Sequence, residues 1–387
     1  MTAIALIAAD LQRNRFGGPA RLHETIAGRS VLEHTVRRAA RISRISKIVL
    51  VHPAGQDPFK LIDRQKIDKS LAALPIEGGL DEPRDRHWAA ARKWALTCWR
   101  GGLGAATAFD EVLPAAPLLA ALDAHHAESA LLLRGEWCAF DDQLADAQLA
   151  QHAENTEAYR LCFTQAPPGL GCLVAHRASI AQVAEHHAAF GQALGYRPQR
   201  PALDPIGREV NIAIPATVRD TYRRFAYDTP RSAALLRRIA ERLDDAFLTA
   251  DAEAITDAAC AVEADDPAIA FERLPQQVTL ELTPRRAVNG PITPQHHVSF
   301  ERPDIDVDLA QRIVAQLGDG EAAGDVALRL GGLGDALLHP QWDEIVRAAH
   351  DAGVLGICIE TELLCDTATL DRLMTLPIDV VSVRFNA

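Results

Sequence analysis

Short apolar runs alternate with amphipathic stretches from the start of the chain. Residues 4–8 (IALIA) read as a buried strand, residues 30 to about 41 as a helix, and residues 47–52 (KIVLVH) as a second strand. A βαβ opening whose strands are apolar on both faces predicts a parallel sheet covered by helices on either side. Residues 129–134 (SALLLR) add an inner strand, 142–151 the helix behind it and 159–164 (YRLCFT) a further strand, with the sheet running on to about residue 228. A helix over 231–248 follows. Residues 249–275 are rich in Ala, Asp and Glu with few β-branched positions, as in a helical connector.

Beyond the connector the rhythm restarts. Strands at 278–283, 326–330, 355–360 and 378–383 alternate with helices at 306–317, 340–353 and 366–376. The pattern predicts an α/β chain of two domains, 1–248 and 276–387, joined by a helical linker over 249–275. A parallel sheet that stops at its last strand leaves an unpaired edge. A protein partner or a second copy of the chain is therefore expected over the apolar segment 380–385.

Composition narrows the functional classes. With 387 residues and 48% hydrophobic content the chain can bury two cores. Its 52 acidic against 40 basic residues, net −12, exclude a general nucleic-acid surface. Residues 2–9 are too short for a secretory leader, and no apolar run reaches the roughly 18 residues that span a bilayer, so a cytoplasmic, membrane-free protein is expected. Seven scattered cysteines without a CxxC pair suggest buried free thiols rather than disulfides or a zinc knuckle. The histidine pairs at 125–126, 186–187 and 296–297 read as surface residues, since adjacent helical side chains point about 100° apart and serve at most one ligand to a site.

The loop 10–22 (DLQRNRFGGPARL) carries three arginines and a glycine pair but no lysine. It follows the first strand, at the carboxyl end of the sheet, where backbone N–H groups and guanidinium groups can hold phosphates. An exposed loop without a ligand would show the same residues. The stretch from Ala5 to Ala39 resembles the opening of the GT-A-like nucleotidyltransferases, and among them the sugar-acid cytidylyltransferases, whose loop runs Pro-Ala-Arg-x-x-Ser-x-Arg-x-x-Gly-Lys. Arg15 and Gly18 match that pattern; counting back from Ile26, Arg21 takes the place of the lysine after a two-residue insertion, and the serine is missing. The resemblance implies nucleotide contacts at Ala8, Ala9, Arg13, Arg15, Gly17, Gly18 and Arg21, with Arg15 and Arg21 catalytic. It further implies Mg2+ on two acids. Glu136, in Arg134-Gly-Glu-Trp, stands where the family has Gly-Asp, and Asp228, in Tyr227-Asp-Thr-Pro, matches the family's closing Val-Asp-Thr-Pro. Read without the family, Asp228 is a helix N-cap ahead of Pro230.

Residues 328–340 (LRLGGLGDALLHP), the helix after them and 357–364 (ICIETELL) resemble the middle of radical SAM domains, over roughly residues 276–387. The family holds a [4Fe–4S] cluster with Cys-x3-Cys-x2-Cys after its first strand. Residues 282–297 contain no cysteine, so no cluster is expected. The resemblance implies a SAM-like pocket at Gly331, Gly332 and Asp335. The fold expected is thus a GT-A, Rossmann-like nucleotidyltransferase sandwich followed by a partial (β/α) barrel of radical SAM type.

Two stretches, 92–104 with Trp94 and Trp99 and 163–171 with two prolines, could line a cleft or simply fill the core. Two functions stay open. One is a Mg2+-dependent nucleotidyltransferase that takes a nucleoside triphosphate and a sugar or sugar acid; the other is a non-catalytic binding or scaffold module built from the same two folds.

Overall fold

The computed structural model describes residues 2–77, 80, 85–195, 199–266, 275–288, 301–318 and 324–385. The chain divides into two compact units, Met1–Phe271 and Glu272–Ala387. Among the described residues no helix is long and apolar enough to cross a membrane.

In the first unit the apolar runs become β1 (Ala3–Ala8), β4 (Lys47–Pro53) and β6 (Ser129–Arg134), with a small hairpin of β2 (Thr25–Ile26) and β3 (Arg29–Ser30) before the first helix. All six residues of β1 and of β6 are buried. Each fully buried Leu or Ile there contributes roughly 1.5–3 kcal/mol. Ser30 caps the helix Val31–Arg41 by accepting from Glu33 N, and Val31, Leu32, Val36 and Ala39 turn inward. With β5 (Ser70–Ile76), β7 (Leu161–Thr164), β8 (Leu173–His176) and β9 (Asn211–Ile212) the sheet has the order β5-β4-β1-β6-β8-β7-β9. It is mixed rather than all-parallel: β8 runs antiparallel to both β6 and β7. From β1 the chain moves outward to β4 and β5, then returns to place β6 on β1's other side. The strand order therefore reverses between β1 and β6.

The helix expected over 231–248 is Pro230–Leu243, followed by a 3-10 turn, Asp244–Leu248. Part of the expected linker forms the helix Ala252–Asp265, whose Ile255, Ala259 and Val262 join the first unit's core. Arg38 ties this segment down: fully buried, its guanidinium donates to the carbonyls of Phe140, Phe247 and Ala250.

The second unit is an open sheet of four parallel strands in chain order, β10 (Gln277–Leu280), β11 (Ala327–Leu330), β12 (Gly356–Thr361) and β13 (Val380–Val383). The helices Val307–Leu317, Trp342–Asp351 and Thr367–Thr375 connect them. Trp342, Ile345, Val346 and Ala349 bury one helix face in a separate core with Leu328, Leu330 and Ile359. β13 is an edge strand of this sheet, and Val381 within it, Phe385 after it and Met374 on the preceding helix are exposed.

Candidate functional site

The loop after β1 is a compact hairpin organised by two side chains. Asp10 Oδ1 accepts from the backbone of Gln12 and Arg13 and from Gln56 Nε2. Asn14 Oδ1 accepts from Phe16 N and Gly18 N, while Gly17 N donates to Asn14 O. Gly17 has φ +86°, a left-handed conformation in which an L side chain is strained. The glycine pair thus serves the turn, and these N–H groups face inward rather than toward a phosphate. Ala8 and Ala9 are fully buried, their backbones engaged by Gly135 N and Val51 O. What the loop presents is guanidinium.

Arg13 and Arg21 line a narrow, closed-down cleft with Asp10, Asn14, Leu22, Glu136, Tyr227 and Asp228. The cleft lies at the carboxyl ends of β1 and β6, at the reversal of strand order where open α/β sheets bind ligands. Asn14 Nδ2 donates to Asp228 O, and Tyr227 N to Glu136 O, so three remote segments are stitched together. Arg13 is exposed and, among the described residues, makes no ion pair. Arg21 Nη1 rests 2.8 Å from Glu24 Oε1, while Tyr227 Oη and Arg237 Nη2 both donate to Glu24 Oε2. Partial burial works to raise the Glu24 pKa, but the hydrogen bonds from Arg237 and Tyr227 and the Arg21 charge outweigh it and hold the carboxyl below its ordinary value.

The two acids do meet, and each comes with an arginine. Arg134 Nε lies 2.6 Å from Glu136 Oε1, and Arg224 holds Asp228 side-on, Nε to Oδ1 at 2.8 Å and Nη2 to Oδ2 at 2.5 Å. Behind them Glu111 pairs with both Arg92 and Arg224. Burial raises the Glu136 pKa; the Arg134 charge opposes this and the neighbouring Asp228 charge adds to it. Burial also acts to raise Glu111, but the charges of Arg224 and Arg92 prevail and lower it. Three buried carboxylates thus face three buried guanidinium groups. That buried set offers a bare divalent ion no net negative charge, both oxygens of Asp228 are engaged, and Oδ1 of Asp10, the remaining carboxylate of the cleft, is taken by Gln12 N, Arg13 N and Gln56, so the residues do not fit Mg2+ held by the protein alone.

Asp228 is not the helix cap. Thr229 takes that role in a reciprocal pair with Ser232, which leaves the Asp228 carboxylate to Arg224 and the cleft. Arg134, Arg224, Glu111 and Glu24 had drawn no functional reading from sequence. Arg134 stands two residues before Glu136 and Arg224 four before Asp228, and that spacing was the available signal.

Arg15 is buried elsewhere. It lines a second pocket, of only about 20 Å3, with Trp88, Asp110, Leu113 and Phe190. Burial raises the Asp110 pKa although Thr107 and the backbones of Gly191 and Phe190 hydrogen-bond its carboxylate. In the stretch 92–104, Arg92 is buried on Glu111 and Trp99 packs on Phe163, with ring centroids 5.2 Å apart. Of the cysteines, Cys98 and Cys260 are exposed, Cys365 is half-buried and the other four are buried. His126, His186 and His187 are exposed and His125 half-buried; the pair at 296–297 and the loop 289–297 lie outside the described residues.

In the second unit Gly331 and Gly332 follow β11. A Cβ on Gly331 would stand 2.6 Å from a Glu360 oxygen, and one on Gly332 2.6 Å from a Glu281 oxygen, so close carboxylates require both glycines. Those acids pair with Arg384 and Arg329, and with Arg302. Asp335 is buried; its carboxylate accepts from Leu337 N, Thr361 Oγ1 and Glu362 N.

No protein-family model matches the chain, and no curated protein matches it. Among solved structures it is similar to a cytidylyltransferase from Leptospira borgpetersenii serovar Hardjo-bovis, at 11% identity over 71% of this chain and 99% of that one, TM-score 0.45. It is also similar to CMP:2-keto-3-deoxy-manno-octonic acid synthetase complexed with CTP, at 10% identity over 62% and 99%, TM-score 0.37. A third is 4-diphosphocytidyl-2C-methyl-D-erythritol synthase from Anaerococcus prevotii, at 16% identity over 48% and 74%, TM-score 0.29. With TM-scores of this size, the function of the chain rests on its own residues.

Proposed function

We propose that the first unit binds a nucleoside triphosphate, with a sugar or sugar acid as its second ligand. One observation carries this reading: the loop after β1, the turn after β6 and the segment 227–228 converge on one cleft at the reversal of strand order, where Arg13 and Arg21 stand beside the carboxylates of Asp10, Glu136 and Asp228. Arg13 and Arg21 hold phosphate oxygens, and Arg21 is released from Glu24 to do so. The second pocket, lined by Arg15, Asp110, Trp88 and Phe190, is the side from which the sugar acid enters, and it must open from about 20 Å3 to do so.

Two readings share this site. In the transfer reading the sugar oxygen attacks the α-phosphorus in line, pyrophosphate leaves, and Arg13 and Arg21 stabilise the charge that develops. In the binding reading the ligands are held and not joined. The ion pairs on Glu136 and Asp228 favour the second, because the acids from which Mg2+ chemistry was expected are already answered by arginine.

The second unit is proposed as a radical SAM-like scaffold without a cluster, its strand end at Gly331 and Gly332 closed by acid–arginine pairs and Asp335 held by Leu337 N, Glu362 N and Thr361 Oγ1. A protein partner, taken as a second copy of the chain, covers the open edge of β13 at Val381 and Phe385. Sedimentation checks this: association that rises with concentration is expected and is lost in Val381→Lys, and a wild-type chain that stays monomeric sinks it. Calorimetric titration with CTP, GTP and SAM, joined to a pyrophosphate-release assay, tests the whole reading. Saturable heat with a triphosphate is expected, without pyrophosphate release and without a SAM signal; no heat with either triphosphate refutes it.

A further inference from the structure

We infer that nucleotide binding at this cleft needs no divalent cation, because Arg134 and Arg224 already balance the two carboxylates on which a metal would sit. The inference rests on the nucleotide reading above and adds to it the species bound, a metal-free triphosphate. Arg224 engages both oxygens of Asp228 and is fixed from its far side by Leu96 O and by both oxygens of Glu111. Arg134 is fixed likewise on the carbonyls of Glu111 and Val112 while it holds Glu136. Arg134 cannot retreat without leaving the buried carbonyls of Glu111 and Val112 short of a donor, nor Arg224 without uncovering the buried Glu111 carboxylate, and arginine does not lose its proton to make room.

Mg2+ demands a near-octahedral shell of oxygens at about 2.0–2.1 Å and gives up water reluctantly. Here it would enter beside two fixed positive groups, in a set whose acids and arginines number three each: Glu111, Glu136 and Asp228 against Arg92, Arg134 and Arg224. The countercharge for a triphosphate then comes from the mouth of the cleft. Arg13 is exposed there, and when Arg21 turns to a phosphate, Glu24 keeps its bonds from Tyr227 and Arg237.

The test is calorimetric titration of the full chain with CTP, once in EDTA and once in excess Mg2+. Affinity in EDTA equal to or tighter than in Mg2+ is the expected result. A tightening of about tenfold or more on adding Mg2+ overturns the inference and leaves the nucleotide reading standing. No heat in either buffer removes the nucleotide reading, and this inference with it. In Arg134→Gln, where Glu136 is left without its cation, Mg2+ is expected to tighten binding; a folded variant as indifferent to Mg2+ as the wild type also overturns it. Should the variant fail to fold, the wild-type pair of titrations decides alone.

Discussion

His34 shows how one buried ring sets a pH limit on the first unit. Its Nε2–H donates to Ile26 O at 2.8 Å, while Nδ1 is buried and has no partner among the described residues. Burial pushes its pKa from 6.5 down to about 4, against the pull of the Ile26 bond and with help from the Arg29 and Arg38 charges. Between those values the unfolded chain takes up a proton that the folded one refuses, so stability falls as pH drops from 6.5 toward 4. The loss is on the order of 3 kcal/mol. Urea unfolding at pH 7 and pH 5 checks this, and His34→Gln, which can still donate to Ile26, should flatten the difference. At the cleft, Arg21→Ala removes a charge-assisted contact worth about 1.5–3 kcal/mol, so CTP affinity should fall at least tenfold by calorimetry. An unchanged affinity would place the phosphates elsewhere.

Elements legible in the sequence were those whose burial is complete on both faces. β1, β4 and β6 stand out because every position is apolar or nearly so, and the helix Val31–Arg41 because its apolar face recurs at helical spacing. β5 is half-buried along its length and offers a weaker pattern, and the antiparallel placement of β8 depends on neighbours that a single run cannot announce. The helix Ala252–Asp265 has the alanine-rich composition of a connector, yet Arg38 anchors the chain just ahead of it through two carbonyls, Phe247 O and Ala250 O, while also holding Phe140 O. Arg38→Met should therefore leave several buried acceptors unanswered and lower the unfolding free energy by about 3 kcal/mol or more, read from urea denaturation, which checks whether this segment belongs to the first core. In the cleft, the acids were legible from a motif and their arginines were not, because ion pairs across a turn depend on backbone direction rather than on residue type.

At the level of the whole molecule, two separate cores predict two unfolding events. Differential scanning calorimetry should resolve two transitions, and CTP should raise only the one that belongs to the first unit, by mass action on its native state. A single transition shifted as one by CTP would show that the cores melt together. The stitch between Asn14 and the carbonyl of Asp228 spans 214 positions. Contacts that distant close late and slowly. A nascent chain emerging from the ribosome therefore carries its arginine hairpin unseated through most of the first unit's translation, and the cleft is assembled only once the last part of that unit has been delivered.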